Sequence, residues 1–237
     1  MKLNFFKASL FSLLLCSTLL ASCVSSKKYD DLKASKEALE REQEASKQKV
    51  DELSASLKDR EQKLAEMERA MNEQQKVLDN LKNEVNAALQ GFNQGDLSVN
   101  VKDGKVYVSM SDKLLFATGS TKVNAGGKKA IDQLANVLKK NQSVGVMVEG
   151  HTDDVSITGG MKYMTDNWDL SVLRATEITR MMTEKGLSPD RITPAGRSYY
   201  MPVDTGRSAE AKSKNRRTEI ILTPDFSEIY KILGIQS

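Results

Sequence analysis

Val144-Gly-Val-Met-Val-Glu-Gly-His-Thr-Asp-Asp154 and Asn167-Trp-Asp-Leu-Ser-Val-Leu-Arg-Ala175 are the stretches that decide the fold. The first begins with apolar residues, which predict a strand over residues 144–148, and then becomes polar. The second begins a helix predicted over residues 170–185, because its apolar residues lie near one face and Gly186 ends it. A strand, a glycine-containing loop and a helix predict α/β layering, in which ligand sites lie at strand ends.

Short elements surround this unit on both sides. Alternating or apolar runs predict strands over residues 105–110, 191–195 and 218–222, and Asn124 begins another amphipathic helix. Asp103-Gly104 predicts a turn before the first of these strands, and Pro224 ends the last one. The pattern predicts one domain of helices on a sheet over residues 105–225, with a linker at 91–104 and a tail at 226–237.

The loop after the central strand brings charged residues together. It places a carboxylate, either Asp153 or Asp154, near a helix that carries Arg174. Such a pair can bind a zwitterion, since a carboxylate takes an ammonium and a guanidinium takes a carboxylate in a two-pronged bond. The alternative is a salt bridge that only ties the loop to the helix, and most such pairs are structural.

Four motifs in order make the resemblance to a family specific. Gly150-His-Thr-Asp153, the stretch from Asn167 to Ala175, Gly196 with Pro202, and Asn215-Arg-Arg217 resemble the OmpA-like (OmpA/MotB) peptidoglycan-binding domain. The resemblance covers residues 105–224 and implies an α+β fold, a βαβαβ-type sandwich of helices on a mixed sheet. It implies non-covalent binding of the diaminopimelate of the peptidoglycan stem peptide, and therefore a binding protein that is not an enzyme.

The resemblance also implies site residues. Asp153 corresponds to the carboxylate that meets the ligand ammonium, and Arg174 to the guanidinium that meets its carboxylate. With the resemblance, the zwitterion clamp is favoured over a purely structural pair. Further peptidoglycan-binding positions are Asn167, Leu170, Phe116, Arg216 and Arg217. The chain departs from the family in a longer loop at residues 154–166 and in Ser198, where many members have glycine.

The N-terminus predicts export and lipidation. Lys2 and Lys7 precede an uncharged, mostly apolar run over residues 8–21, which is the layout of a secretory signal. Leu20-Ala-Ser-Cys23 resembles a lipoprotein cleavage box, so we expect a signal peptide at residues 1–22 and an acylated Cys23. Val24 follows in place of the Asp that retains many such lipoproteins at the inner membrane, which implies the outer membrane, with the protein facing the periplasm. The alternative is an uncleaved anchor helix.

Residues 23–90 are predicted to form a coiled-coil stalk. All 14 Gly and all 4 Pro of the chain lie at or after Gly91. With Val50 at heptad position a, 13 of the 18 a and d positions between Tyr29 and Ala88 are apolar. Because the stripe is too narrow to form a core alone, we expect self-association or a partner helix. An exposed single helix is the alternative.

Composition excludes several function classes. A net charge of +3 gives no electrostatic footprint for nucleic acid, and the basic run around Lys212–Arg217 fits a solvated face. One His and two Cys leave little room for a metal site, a cofactor or a catalytic nucleophile, and we expect none of them. His151 fits a structural hydrogen bond better than a metal ligand. Trp168 fits a packing residue better than a sugar-stacking platform.

The sequence thus predicts a lipoprotein that tethers the outer membrane to peptidoglycan through its C-terminal domain. The alternative is an accessory lipoprotein of a motor or envelope machine, such as a flagellar stator, which uses the same domain to reach the cell wall. Neither function requires a cofactor.

Overall fold

The computed structural model of the chain describes residues 26–117, 119–157, 164–227 and 231. The predicted signal peptide, the lipidation residue Cys23 and most of the predicted tail lie outside the described residues. The chain divides into two units, Met1–Leu64 and Ala65–Ser237. Within the described ranges, no helix is both long and apolar enough to cross a membrane.

Helix α1, Ser26–Ala88, is a continuous helix of 63 residues. Its sequence contains neither Gly nor Pro and is rich in good helix formers. In the first unit, the apolar a and d side chains are exposed, and Leu53 leaves 55% of its surface accessible. The predicted stripe is therefore present there and is not covered by any described residue of the chain.

The last turns of α1 belong to the second unit and are part of its core. Leu78, Leu81 and Val85 are buried, together with Leu89 just beyond the helix, in the same apolar cluster as the sheet. Asn141 Nδ2 donates a hydrogen bond of 2.8 Å to Glu84 Oε2, which adds a polar contact. The predicted stalk boundary at residue 90 is therefore too late, because the domain itself covers the stripe here.

The second unit is built on one mixed sheet of five strands with the order β1-β2-β5-β3-β4. Only β3 and β4 are parallel; the other neighbours are antiparallel. The strands are β1 Leu97–Lys102, β2 Lys105–Ser111, β3 Val144–His151, β4 Ile192–Gly196 and β5 Arg217–Pro224.

Strand β1 corrects the sequence-based interpretation, which assigned residues 91–104 to a linker. Leu97 to Lys102 pair in full register with β2. The turn at Asp103 and Gly104, with φ of 50° and 70°, has the left-handed residues that a tight hairpin requires. The domain therefore begins before residue 105.

Four further helices have their bounds within the described residues. They are α2 Asp112–Leu115, α3 Ala125–Lys140, α4 Asn167–Glu184 and α5 Ala209–Asn215, with a 3₁₀ turn at Pro189–Arg191. Asn124 caps α3 as predicted, since its side chain accepts from the Gly127 N–H at 2.9 Å. Helix α4 begins earlier than predicted because Asp166 caps it, accepting from the Asp169 N–H at 3.0 Å. The α+β class with helices on a mixed sheet is confirmed.

Two glycines set the position of α4 on the sheet. A Cβ atom on Gly150 of β3 would lie 2.2 Å from the Ser171 carbonyl oxygen, and one on Gly196 of β4 would lie 2.5 Å from Ser171 Oγ. Side chains there would push the helix away, because interiors tolerate little added volume. The glycines of two of the sequence motifs therefore fix the start of α4, which carries the candidate site.

Candidate functional site

A cleft of about 1020 Å³ opens where β2 and β3 end and α4 begins. This volume is in the range of small-molecule sites. Six of the seven sequence-predicted residues line it, together with one acidic residue that the sequence analysis missed. They are Asp112, Phe116, Asp153, Asn167, Leu170, Arg174 and Arg216.

Asp153 is the second residue after β3 and is buried. Its Oδ2 atom lies 2.5 Å from Arg216 Nη1, and its Oδ1 atom accepts from the Val155 N–H at 3.2 Å. Arg216 stands between α5 and β5, so this ion pair joins two chain segments at one end of the cleft. Charge-assisted hydrogen bonds between a guanidinium and a carboxylate are among the stronger hydrogen bonds in proteins.

Arg174 lies on the cleft side of α4, and only 4% of its surface is exposed. Its Nη1 atom lies 2.7 Å from Asp112 Oδ1, and its Nε atom donates to the Ser120 carbonyl at 3.1 Å. The guanidinium carbon lies 4.8 Å from the centre of the Phe116 ring, within cation–π range. Burial lowers the pKa of Arg174, while the adjacent Asp112 carboxylate opposes that change.

Asp112, the first residue of α2, is the site residue that the sequence analysis did not identify. Burial raises the pKa of this carboxyl group, while Arg174 and Arg216 pull it down and Asp153 adds to the rise. All four charged groups therefore interact with one another. The position directly after a strand was a usable signal, since the same reasoning selected Asp153 after β3.

Asn167, Leu170 and Phe116 shape the walls of the cleft. Asn167 Nδ2 donates to the carbonyl oxygens of Asp153 and Val155, at 3.3 and 3.0 Å. These bonds hold the loop after β3 against the first turn of α4, where Leu170 also faces the cleft. Residues 158–163, within the long loop noted in the sequence, lie outside the described residues.

Arg217 is not part of the cleft, in contrast to its place among the sequence-predicted residues. Successive side chains of a strand point to opposite faces, so Arg217 turns away from Arg216. Its Nε atom donates to Glu219 Oε1 at 2.7 Å, and its Nη1 atom donates to the Met201 carbonyl at 3.3 Å. It lines a second cleft, of about 1000 Å³, over the other face of the sheet.

His151 also lies away from the cleft. Its Nε2 atom is 3.2 Å from Glu149 Oε1 and 3.9 Å from Glu219 Oε2, and the close contact with His151 lowers the pKa of Glu149. Among the described residues, these three form the only group whose donor atoms are close enough for a metal ion. The chain has one histidine, so the cleft contains no imidazole.

Ser198 occupies a position at which many OmpA-like domains have glycine. Its φ of 51° lies in the left-handed region, where glycine is favoured, and its buried hydroxyl oxygen has no hydrogen-bond partner. The Ser198 N–H donates to Ser171 Oγ at 3.2 Å, which ties the loop after β4 to α4. The serine is therefore accommodated with some backbone strain.

The arrangement supplies both signs of charge to one ligand. Two acid–base pairs, Asp153 with Arg216 and Asp112 with Arg174, converge on one cleft with an aromatic wall. A molecule that carries an ammonium and a carboxylate a few ångströms apart can exchange for the internal partners. A ligand with one charge can satisfy only half of the groups.

Comparison with known proteins places residues 115–216 in a match to the OmpA family model. Motility protein B from Bacillus subtilis is 26% identical over 152 residues, which are 63% of this chain and 58% of that protein. Peptidoglycan-associated lipoprotein from Buchnera aphidicola is 32% identical over 108 residues, 46% of this chain and 59% of that protein. The chain thus spans less than two thirds of the length of these relatives.

The fold of this chain is also similar to solved structures. The cell wall anchor of the T6SS from Pseudomonas aeruginosa has a TM-score of 0.53 at 27% identity, covering 61% of this chain and 97% of that one. A putative MotB-like protein from Desulfovibrio vulgaris has a TM-score of 0.59 at 22% identity, covering 67% and 95%. The second similarity is one of fold alone.

Proposed function

Because the C-terminal region of this chain contains an OmpA family domain at residues 115–216, we propose that the protein binds peptidoglycan without covalent chemistry. Relatives of this domain carry the names peptidoglycan-associated lipoprotein and cell wall anchor. The observation that carries the proposal is the convergence on one cleft of two acid–base pairs, each with one buried partner, Asp153 or Arg174. The side-chain end of meso-diaminopimelate carries one ammonium and one carboxylate, which matches these pairs.

The clamp assigns a role to each residue. Asp153 takes the ligand ammonium, with Asp112 as the second carboxylate near it. Arg174 takes the ligand carboxylate, and Arg216 neutralises Asp153 until the ligand arrives. Because every buried charge has a partner before and after binding, the exchange avoids the several kcal/mol that an unpaired buried charge costs.

The walls of the cleft support this binding mode. Phe116 covers one face of the Arg174 guanidinium, so a planar ligand carboxylate would approach the edge and take the place of Asp112 there. Asn167 and Leu170 hold the loop and the helix start at the separation that the ligand needs. Both carboxylates of the cleft, Asp153 and Asp112, are held in ion pairs with arginines, and we propose binding and no hydrolysis.

Co-sedimentation with isolated cell-wall sacculi tests this function. We expect the wild-type chain to pellet with sacculi, and Asp153→Asn and Arg174→Gln to weaken binding by about tenfold or more each. Asp132→Asn and Lys185→Gln are the matched controls, because they break an exposed acid–base pair, 3.1 Å apart, away from the cleft. Unchanged binding of both cleft variants would reject the clamp, and release of soluble fragments would indicate an enzyme.

We further propose that an acylated Cys23 anchors the protein in the outer membrane, facing the periplasm. The support is the cleavage-box sequence before Cys23 and the names of relatives such as outer-membrane lipoprotein YfiB from Pseudomonas aeruginosa. Cys23→Ala is expected to abolish fatty-acid labelling and to leave the uncleaved precursor. Labelling that persists in this variant would reject the anchor.

A second copy of the chain is the partner we propose for the exposed stripe of α1. In a parallel dimer, Glu42 at position g of each chain faces Lys47 at position e of the other chain. The dimer therefore has two such ion pairs, which favour the parallel orientation of the two helices. Glu42→Lys is expected to weaken association, and adding Lys47→Glu is expected to restore it. Sedimentation equilibrium measures both, and a monomer at all micromolar concentrations would reject the pairing.

An accessory role in an envelope machine is the second candidate function. The support is the similarity to motility protein B and to the cell wall anchor of the T6SS. In that case, the stripe of α1 contacts a machine component. Site-specific cross-linking from Leu53 distinguishes the two, since a tether yields only cross-linked copies of this chain and a machine component yields a second protein.

A further inference from the structure

An exposed row of three aromatic rings lies beside the proposed clamp. Trp168 and Tyr200 are stacked with ring centres 5.5 Å apart, and Tyr200 and Tyr199 with ring centres 4.4 Å apart. We infer that this row is a binding site for the sugar rings of a glycan strand. The inference rests on the proposed function, since it assigns the carbohydrate part of the same ligand.

The row is more exposed than aromatic side chains usually are. Trp168, Tyr199 and Tyr200 leave 46%, 41% and 59% of their surfaces accessible. Met201 and Val203 extend the apolar surface along the same loop and are also exposed. A contiguous patch of exposed apolar residues marks an interaction site, whereas single exposed apolar residues are common on protein surfaces. The structure therefore does not support Trp168 as a packing residue.

The rings present the two features that sugars need. Trp168 and Tyr199 are the ends of the row, so each has only one face against Tyr200. A free aromatic face binds the C–H side of a pyranose ring, because that side is apolar and weakly positive. The Tyr199 hydroxyl donates to the Tyr200 hydroxyl at 3.2 Å, which puts two polar groups at the rim for sugar hydroxyls.

Both ends of the row are connected to residues that line the cleft. Trp168 directly follows Asn167, which lines the cleft. At the other end, Tyr199 directly follows Ser198. The Ser198 carbonyl accepts a hydrogen bond of 2.9 Å from the N–H of Thr152, which lines the cleft, so this bond ties the loop of the row to the clamp.

The covalent structure of peptidoglycan explains why the two sites are neighbours. Only a few residues of stem peptide separate diaminopimelate from the sugar chain, a distance on the order of 10 Å. A stem peptide held in the clamp therefore keeps its glycan strand next to the domain surface. The aromatic row is an exposed apolar surface that is adjacent in the chain to the cleft residue Asn167, so peptide and glycan can bind together with a gain in effective concentration.

The single tryptophan of the chain reports directly on this site. We expect β-1,4-linked N-acetylglucosamine oligomers, which contain no peptide, to change the Trp168 fluorescence of the full chain in detergent in a saturable way. Tyr200→Ala is expected to weaken this binding about three- to tenfold. Calorimetry extends the test to Trp168→Ala, with Trp168→Phe as the variant that keeps an aromatic face.

A stem peptide without sugar separates the row from the clamp. Trp168→Ala and Tyr200→Ala are expected to bind this peptide like the wild type, and Asp153→Asn to lose the peptide while it keeps the oligomers. If the oligomers leave the fluorescence unchanged while the peptide binds, the glycan site is rejected and the proposed function stands. If the oligomers bind and the peptide does not, the clamp is rejected and the aromatic site stands.

Discussion

The part of α1 in the first unit and the part in the second unit carry the same heptad pattern and have different surroundings. Leu53 and Leu81 both occupy position d, yet Leu53 is 55% exposed and Leu81 only 4%. Near Leu81, the sheet and α3 cover the stripe; in the first unit, no described residue of the chain covers it. The difference teaches that a heptad stripe predicts which face of a helix must be covered and does not predict by what.

The largest effect is expected from removing the buried end of α1. A fragment of residues 91–237 lacks Leu78, Leu81, Val85 and Leu89, which together bury apolar surface that stabilises the domain by about 8 kcal/mol. That is comparable to the whole stability of an ordinary domain, so this fragment should not fold. A fragment of residues 65–237 is the control and should unfold cooperatively in a thermal melt. Equal melting of the two would place the end of α1 outside the core.

A matched pair of leucines tests the same contrast in the full chain. Leu81→Ala should lower the free energy of unfolding of the domain by roughly 3 kcal/mol, because it leaves a cavity in a packed core. Leu53→Ala removes the same atoms from an exposed position and should change domain stability by less than about 0.5 kcal/mol. Denaturant titration followed by Trp168 fluorescence compares them. Similar losses from both variants would contradict the difference in burial.

Self-association should respond in the opposite order. Leu53→Ala is expected to weaken pairing of two chains by about tenfold, since each copy loses buried apolar surface at the stripe. Leu81→Ala should leave pairing unchanged at temperatures where the domain is folded. Sedimentation equilibrium of both variants provides the measurement. If pairing depended on Leu81 and not on Leu53, the exposed stripe around Leu53 would not be the dimer interface.

The smallest expected effect concerns polar contacts of α1. Glu84→Ala removes the acceptor for Asn141 and should lower domain stability by about 1 kcal/mol. Glu37→Ala removes an exposed pair with Arg41, 3.8 Å apart, and should cost less than about 0.5 kcal/mol. Thermal melts of the two variants measure these stability losses. If both losses were negligible, the bond from Asn141 to Glu84 would not help to hold α1 on the domain.

Much of the domain could be predicted from the sequence, because its signals are local. Apolar runs predict β3 and β5, and Asn124 predicts the start of α3 through its cap. Strand β1 was missed although Leu97, Val99 and Val101 alternate with polar residues, because the stretch is short and lies between two glycines that favour a linker. Its pairing with β2 depends on the hairpin turn at Asp103 and Gly104, which the sequence does predict.

The candidate site was predictable only in part. The motifs identify Asp153 and Arg174, and the structure brings both into one cleft. Asp112 was missed because its role depends on contact with Arg174, which is distant in the chain. Arg217 was included because the motif contains two consecutive arginines, and sequence alone does not say which of them turns toward the cleft.

The most direct test of the proposed function is a calorimetric titration of the full chain with two stem peptides. They differ in one residue, which is meso-diaminopimelate in the first and lysine in the second. Lysine keeps the ammonium for Asp153 and lacks the carboxylate for Arg174. The clamp predicts at least about tenfold tighter binding of the diaminopimelate peptide, and loss of that preference in Arg174→Gln. Equal affinities of the wild type for both peptides would contradict it.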